Sequence, residues 1–259
     1  MRIRRCALEL LIAATLIAAC ASQEQFDEPQ NDDEAARINV QLGAAYLAQG
    51  NLGLANTKLE RALKENPDLA AAQWLYALLQ TRLGRPKLAD KHFQEAIKLD
   101  PGDSRGRNAY GTFLCRADRL AEAQIQFRQA LDNPLYSTPE TTLTNAGVCA
   151  SKADNVDKAE AFFLRALNKD PQFAPALYEM ARLNFNQQRY VRTQAYLRRY
   201  KQNAGYDAAT LWLAVQTETK LGNRDAAASY ALELKRRYPD SRETAQLVEW
   251  STMVPKRVR

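Results

Sequence analysis

The sequence predicts an all-α protein, a right-handed superhelical solenoid of six helix pairs that ends in a C-terminal capping helix. Small residues recur at intervals of 34 or 36 residues from residue 36 onward, which indicates a repeated supersecondary unit. Twelve residues after most of these small residues comes a proline or glycine, which can end the second helix of a unit. Large apolar residues at helical spacing predict a buried stripe that includes Leu42, Tyr46, Leu59, Phe93, Tyr110, Phe127, Phe163, Leu183 and Leu197.

The composition is that of an ordinary folded chain. Of 259 residues, 46% are hydrophobic and 25% charged, and the low glycine and proline content excludes collagen-like and low-complexity classes. The formal net charge of +6 is spread along the chain and forms no dense basic block. We therefore expect no nucleic-acid partner.

Residues 1–19 predict a cleaved secretory signal. Three arginines lie among the first five residues, a short apolar stretch follows, and small residues precede Cys20. The apolar stretch is too short to remain as a membrane span. The end of the segment resembles the bacterial lipobox, which implies that Cys20 is the lipidated first residue of the mature chain. The alternative is an ordinary signal with a cysteine by chance.

Residues 20–35 predict a lipidated N-terminus followed by a flexible tether. The stretch from Ala21 to Glu34 is acidic, polar and almost free of apolar residues. Three acyl chains on Cys20 would exceed the two signals that stable anchoring requires. Because Ala21 and not Asp follows the cysteine, the lipobox resemblance implies the outer membrane, with the protein facing the periplasm.

Cys115 and Cys149 are the two cysteines that remain once Cys6 is removed and Cys20 carries lipid. An even pair in an oxidising compartment suggests a disulfide. Two buried free thiols are the alternative.

The repeated unit has the period of tetratricopeptide repeats, about 34 residues, in which two antiparallel helices meet at small side chains. Each first helix has one position at which a small residue mostly recurs, which we call its small position. The residues there are Gly43, Ala77, Gly111, Gly147, Ala181 and Val215. The turn between the two helices is marked by Gly50, Gly84, Asp118, Asp154, Gln188 and Gly222. We place the six repeats at residues 36–69, 70–103, 104–139, 140–173, 174–207 and 208–240. Residues 241–259 predict the capping helix and a basic tail of Lys256, Arg257 and Arg259.

Residues suited to catalysis are few. His92 is the single histidine, and a lone histidine on a helix is more often a surface or packing residue than a general base. The glycine-rich phosphate-binding motifs are absent from the sequence, and two cysteines 34 residues apart do not resemble a zinc site. We therefore expect no enzymatic activity, no cofactor and no bound metal.

A protein-binding groove is expected on the first helices of the repeats, which line the concave face of such a solenoid. In repeats one and two the inward positions are Val40, Ala44, Leu47, Trp74 and Leu78, which we call the N-terminal groove. Arg37 and Arg82 flank it, and Trp74 is the candidate anchor because aromatic residues dominate interface energetics. The alternative is that Trp74 packs against a neighbouring repeat. A secondary groove is predicted at Tyr178, Arg182, Phe185 and Trp212.

Two stretches carry a more selective signal: residues 108–115, NAYGTFLC, and, after the insert from Asp132 to Pro139, residues 144–149, TNAGVC. With the lipobox, the six repeats and the two-residue insertion between repeats three and four, they resemble the type IV pilus biogenesis/stability lipoproteins of the PilF/PilW family. The resemblance spans nearly the whole chain.

Members of that family are pilotins, outer-membrane lipoproteins that bring the pilus secretin subunit to the outer membrane and promote its assembly into a ring. The resemblance implies that Cys20 is lipidated and that Cys115 and Cys149 form a bond between adjacent first helices. It also implies that the secretin and the outer membrane are the partners, and that the N-terminal groove receives a secretin segment. We expect the protein to be a monomer.

Two other functions fit a tethered helical-repeat lipoprotein. One is a regulator that docks on and activates a cell-wall synthase. The other is a scaffold for a complex that assembles outer-membrane β-barrels. Loss of wall synthesis with intact pili would favour the first, and a general loss of barrel proteins would favour the second.

Overall fold

The computed structural model describes residues 32–253, and within that range all regular secondary structure is α-helical, in thirteen helices. The first helices of the pairs are α1 (Asp32–Ala48), α3 (Ala70–Arg82), α5 (Ser104–Arg116), α7 (Pro139–Lys152), α9 (Ala174–Asn186) and α11 (Ala208–Lys220). The second helices are α2 (Leu52–Glu65), α4 (Pro86–Leu99), α6 (Leu120–Leu131), α8 (Val156–Lys169), α10 (Tyr190–Ala204) and α12 (Arg224–Arg237), and α13 (Arg242–Met253) follows. The predicted all-α solenoid of six pairs with a capping helix is confirmed.

The turn inside each pair has one backbone conformation. Its middle residue has a positive φ, from 54° at Asp154 to 79° at Gly222. Glycine adopts this left-handed region at little cost, whereas Asp and Gln there are mildly strained. The six residues concerned are those that the sequence placed at the turns: Gly50, Gly84, Asp118, Asp154, Gln188 and Gly222.

In repeats one, three and four, the first helix has a glycine where a large side chain of the second helix lies directly on its backbone. A Cβ atom on Gly43 would lie 2.6 Å from Cγ of Leu59, and one on Gly111 would lie 2.7 Å from the ring of Phe127. These distances are far inside van der Waals contact. The glycines therefore set how closely the two helices of a pair approach.

The core follows the same register from repeat to repeat. Phe93, Phe127 and Phe163 are at most 1% exposed, and small residues of the second helices beside them are equally buried. Leu42 differs from the prediction, since its side chain is 38% exposed. It lies one position before Gly43, so it points away from the contact with α2 while Gly43 faces it.

Helix α1 begins at Asp32, which corrects the prediction of a flexible tether up to residue 35. The acidic character that suggested a tether is also suited to a helix start, because carboxylates favour the positive end of the helix dipole. Asp33 accepts a hydrogen bond from Asn66, which holds the pKa of Asp33 below its ordinary value. The signal at residues 1–19, Cys20 and the basic tail lie outside the described residues.

Helix α13 covers the last repeat. Leu247 is 3% exposed and belongs to the same apolar cluster as residues of α11, while the ring of Trp250 lies 6.0 Å from that of Trp212. Val248 is exposed on the outer side. The helix thus shields the apolar end of the solenoid. Among residues 32–253, no helix is both long and apolar enough to cross a membrane.

Candidate protein-binding surface

The first helices form one continuous layer. Each first helix contacts the first helices of the neighbouring repeats, whereas no second helix in the described range contacts another second helix. The first helices therefore lie on the tighter, inner side of the superhelix. Side chains on this layer are the ones that a bound peptide would meet.

The N-terminal groove is largely core, which corrects the predicted placement. Val40 is 8% exposed and Leu47 is 4% exposed, and both pack in the apolar cluster that contains Leu59. Ala44 is half-buried against the same cluster. These side chains are needed to join α1 to α2 and α3, so they offer little open surface.

Trp74 and Leu78 do line an open space. Together with Phe113 they border a cavity of about 410 Å³ between α3, α5 and α7, which we call the central cavity. Trp74 also packs against two of the apolar core clusters. Its ring lies close to the backbone of α5, since a Cβ atom on Gly106 would be 3.1 Å from it. Trp74 therefore has the packing role that the sequence offered as the alternative, and it also faces open space. That a partner binds there stays a prediction.

The insert between repeats three and four supplies another wall of the central cavity. Seven residues separate α6 from α7, against three or four at the other junctions between repeats. Tyr136 of this insert lines the cavity, and its hydroxyl accepts a hydrogen bond from Thr142 at 3.0 Å. Sequence reasoning noticed the insertion but did not assign Tyr136 to a binding surface.

Helices α5 and α7 are joined side by side along one edge of the central cavity. Cys115 and Cys149 form a disulfide with a Cα–Cα distance of 5.7 Å. Asn145 donates a hydrogen bond to the side chain of Asn108 at 3.0 Å, and Lys152 donates to the carbonyl of Cys115 at 2.9 Å. The Asn and Cys residues of the two sequence stretches therefore pair with each other.

The secondary groove is also more buried than predicted. Phe185 and Trp212 are half-buried against the core of repeats five and six, and Tyr178 packs beside them. Arg182 is exposed, lies 5.8 Å from the ring of Tyr178 and pairs with Glu179 at 2.9 Å. Burial raises the pKa of Glu179 above its ordinary value. The four predicted side chains share a region, but only Arg182 is exposed, and it is already paired with Glu179.

His92 has a packing environment. Its Nδ1 lies 2.6 Å from the amide oxygen of Gln73, and its ring contacts the edge of Tyr76 with centroids 4.8 Å apart. Within residues 32–253, no three His, Cys, Asp or Glu side chains come together as a metal site would require. The arrangement is that of a helix-packing histidine.

Acid is expected to destabilise the fold partly through His92. Burial lowers the pKa of His92 below its ordinary value, so the unfolded chain takes up a proton more readily than the folded chain. The stability that depends on neutral His92 is therefore complete above about pH 6.5 and decreases as the pH falls below it. The free energy of unfolding, measured by urea denaturation from pH 7.5 to 5, should fall less in the His92→Gln variant than in the wild type. Equal slopes would contradict this assignment.

Comparison with known proteins agrees with the architecture. The tetratricopeptide-repeat family model matches residues 40–104. The type IV pilus assembly protein PilF of Pseudomonas aeruginosa is 32% identical over 241 residues, which cover 92% of this chain and 96% of that protein.

Two solved structures are similar over most of their length. The structure of Pseudomonas aeruginosa PilF has 31% identity and a TM-score of 0.72, and the match covers 85% of this chain and 99% of that one. The structure of PilW, described as a widely conserved type IV pilus biogenesis factor, has 31% identity and a TM-score of 0.75, with 82% and 98% covered. The chain therefore belongs to the PilF/PilW family of tetratricopeptide-repeat proteins.

Proposed function

We propose that this protein acts in type IV pilus biogenesis as an outer-membrane lipoprotein, a pilotin that binds the pilus secretin subunit and promotes its localisation and multimerisation. The observation that carries the proposal is the match to PilF along 92% of this chain and 96% of the relative. A match of that extent is far longer than a single common repeat.

In the proposed mechanism, the N-terminus anchors the protein and the helical repeats bind the partner. Lipid on Cys20 anchors the protein, and the layer of first helices binds a secretin segment. The twelve residues from Cys20 to the start of α1 can span at most about 40 Å when fully extended. The start of α1 therefore stays within that distance of the bilayer, and no chemical step is required.

Deletion of the gene is expected to abolish or mislocalise the heat- and detergent-resistant secretin multimer. The measurement is an immunoblot for the secretin on separated inner and outer membranes, with the intact gene restored as the control. Outer-membrane multimers that persist unchanged in the deletion strain would contradict the proposal. Intact pili with defective wall synthesis would instead favour the regulator of a cell-wall synthase.

A Cys20→Ala variant separates anchoring from binding. Without lipid the folded chain should still bind secretin but should not carry it to the outer membrane. Secretin multimers that form in the outer membrane at wild-type levels would show that the protein is not a lipid-anchored carrier.

A further inference from the structure

The central cavity combines an apolar floor with cations on its rim. Trp74, Leu78 and Phe113 supply large apolar side chains. Arg82, Arg105 and Arg116 also line it, and no acidic residue is among the described residues that do. An apolar space bordered by one sign of charge selects a ligand with an apolar side chain and the opposite charge.

The three arginines differ in how far they are already paired. Arg105 is exposed and lies 3.9 Å from Asp103, which is long for an ion pair. Arg82 donates a hydrogen bond to the carbonyl of Leu47. Neither Arg82 nor Arg116 has a carboxylate within ion-pair distance among residues 32–253. Their charge is therefore available to a ligand.

The placement of Arg82 and Arg116 suggests how a ligand would lie. Each is in the last turn of its first helix, α3 and α5, one repeat apart. An extended chain that crosses the first helices would meet both in succession. The disulfide and the Asn108–Asn145 hydrogen bond hold α5 against α7, so the walls of the cavity are formed before a ligand arrives.

We propose that the central cavity binds an extended acidic peptide segment of the pilus partner, with one large apolar side chain between Trp74 and Tyr136 and carboxylates facing Arg82 and Arg116. That this segment belongs to the pilus partner rests on the proposed function. The site shares Trp74 and Leu78 with the predicted N-terminal groove but contains none of the repeat-one residues of that groove, because repeats two to four and the insert build it.

The test is a fluorescence anisotropy titration of the purified mature chain with a designed labelled peptide, a Phe-Leu pair flanked by Asp and Glu. A second peptide replaces each acidic residue by Lys. We expect the acidic peptide to bind, to weaken as salt is raised, and to bind about tenfold more tightly than the Lys peptide. Equal binding of the two peptides would overturn the proposal.

Two variants and one control test whether the peptide binds in the central cavity. Arg116→Glu should weaken binding of the acidic peptide by about tenfold, whereas Arg128→Glu, the same change at an exposed site on α6, should leave it unchanged. Ala109→Phe fills the cavity without removing a core side chain and should abolish binding. Wild-type binding by Arg116→Glu and Ala109→Phe would overturn the proposal. Circular dichroism checks that each variant is folded.

One competing occupant is the chain's own acidic segment around Phe26. In the full mature chain, a Phe26→Ala, Asp27→Asn, Glu28→Gln variant should bind the probe with unchanged affinity. A gain of about tenfold would show that this segment occupies the cavity, and would overturn an external partner.

Peptide binding in the central cavity and the pilotin function are contradicted by different results. If the deletion removes secretin multimers but the Arg116→Glu strain keeps them at wild-type level, the cavity does not bind secretin and the pilotin function stands. If the deletion leaves the multimers unchanged, the pilotin function fails, and the peptide titration still decides what the cavity binds.

Discussion

Replacement of Phe163 by Ala is expected to lower the free energy of unfolding by about 3–5 kcal/mol, as for other fully buried aromatic residues. The Phe163 side chain has no exposed area and packs in the central apolar cluster of repeats four and five. Its removal would leave a cavity that neighbouring helix backbones cannot close. Urea denaturation of the purified protein measures the change. Phe162→Ala, at the half-buried neighbouring position on α8, is the control and should cost clearly less.

The contact between Gly147 and the Phe163 ring predicts that Gly147→Ala has opposite effects on stability in the wild type and in the Phe163→Ala variant. A Cβ atom there would lie within van der Waals overlap of the Phe163 ring, so Gly147→Ala should destabilise the wild type. In the Phe163→Ala background the ring is gone, and Ala inside a helix should instead stabilise by roughly 0.5–1 kcal/mol relative to Gly. A double-mutant cycle measures this coupling. Additive effects of the two substitutions would show that the ring does not set the approach of α7 and α8.

The positions of the helix pairs could be predicted because each pair needs particular residues at its close contact and at its turn. A glycine is needed where Leu59 or Phe127 meets the backbone of a first helix, and the left-handed turn residue comes two positions after the last residue of each first helix. Such constraints act locally and recur in every unit. The fold class followed from them without knowledge of any distant contact.

The binding surface was less predictable, because helical spacing alone does not tell which apolar residue faces a neighbouring helix and which faces a groove. Val40 and Leu47 have the spacing of groove residues but are buried, while Trp74 and Leu78 reach open space. The difference depends on the position of the next repeat. Tyr136 was missed for another reason: it lies in an irregular insert, whose path no periodicity describes.

Removal of the disulfide by a Cys115→Ala, Cys149→Ala double variant is expected to lower the free energy of unfolding by about 2–4 kcal/mol. The bond closes a loop between residues 34 apart in sequence, and in the chain-entropy model such a loop contributes about 4 kcal/mol. Both cysteines are buried, so Ala fills part of each site without leaving an unpaired polar group. Urea denaturation with and without reductant measures the effect.

The comparison with reductant separates the crosslink from the loss of two sulfur atoms. Reductant should lower the denaturation midpoint of the wild type towards that of the double variant and should leave the double variant unchanged. The folded variant should keep its helical content, because the Asn108–Asn145 hydrogen bond and the contact from Lys152 still join α5 to α7. If thiol titration shows the wild-type bond reduced and the midpoint does not move, the crosslink contributes nothing to stability. In that case the small residues and the aromatic core of these repeats would hold the two helices together on their own.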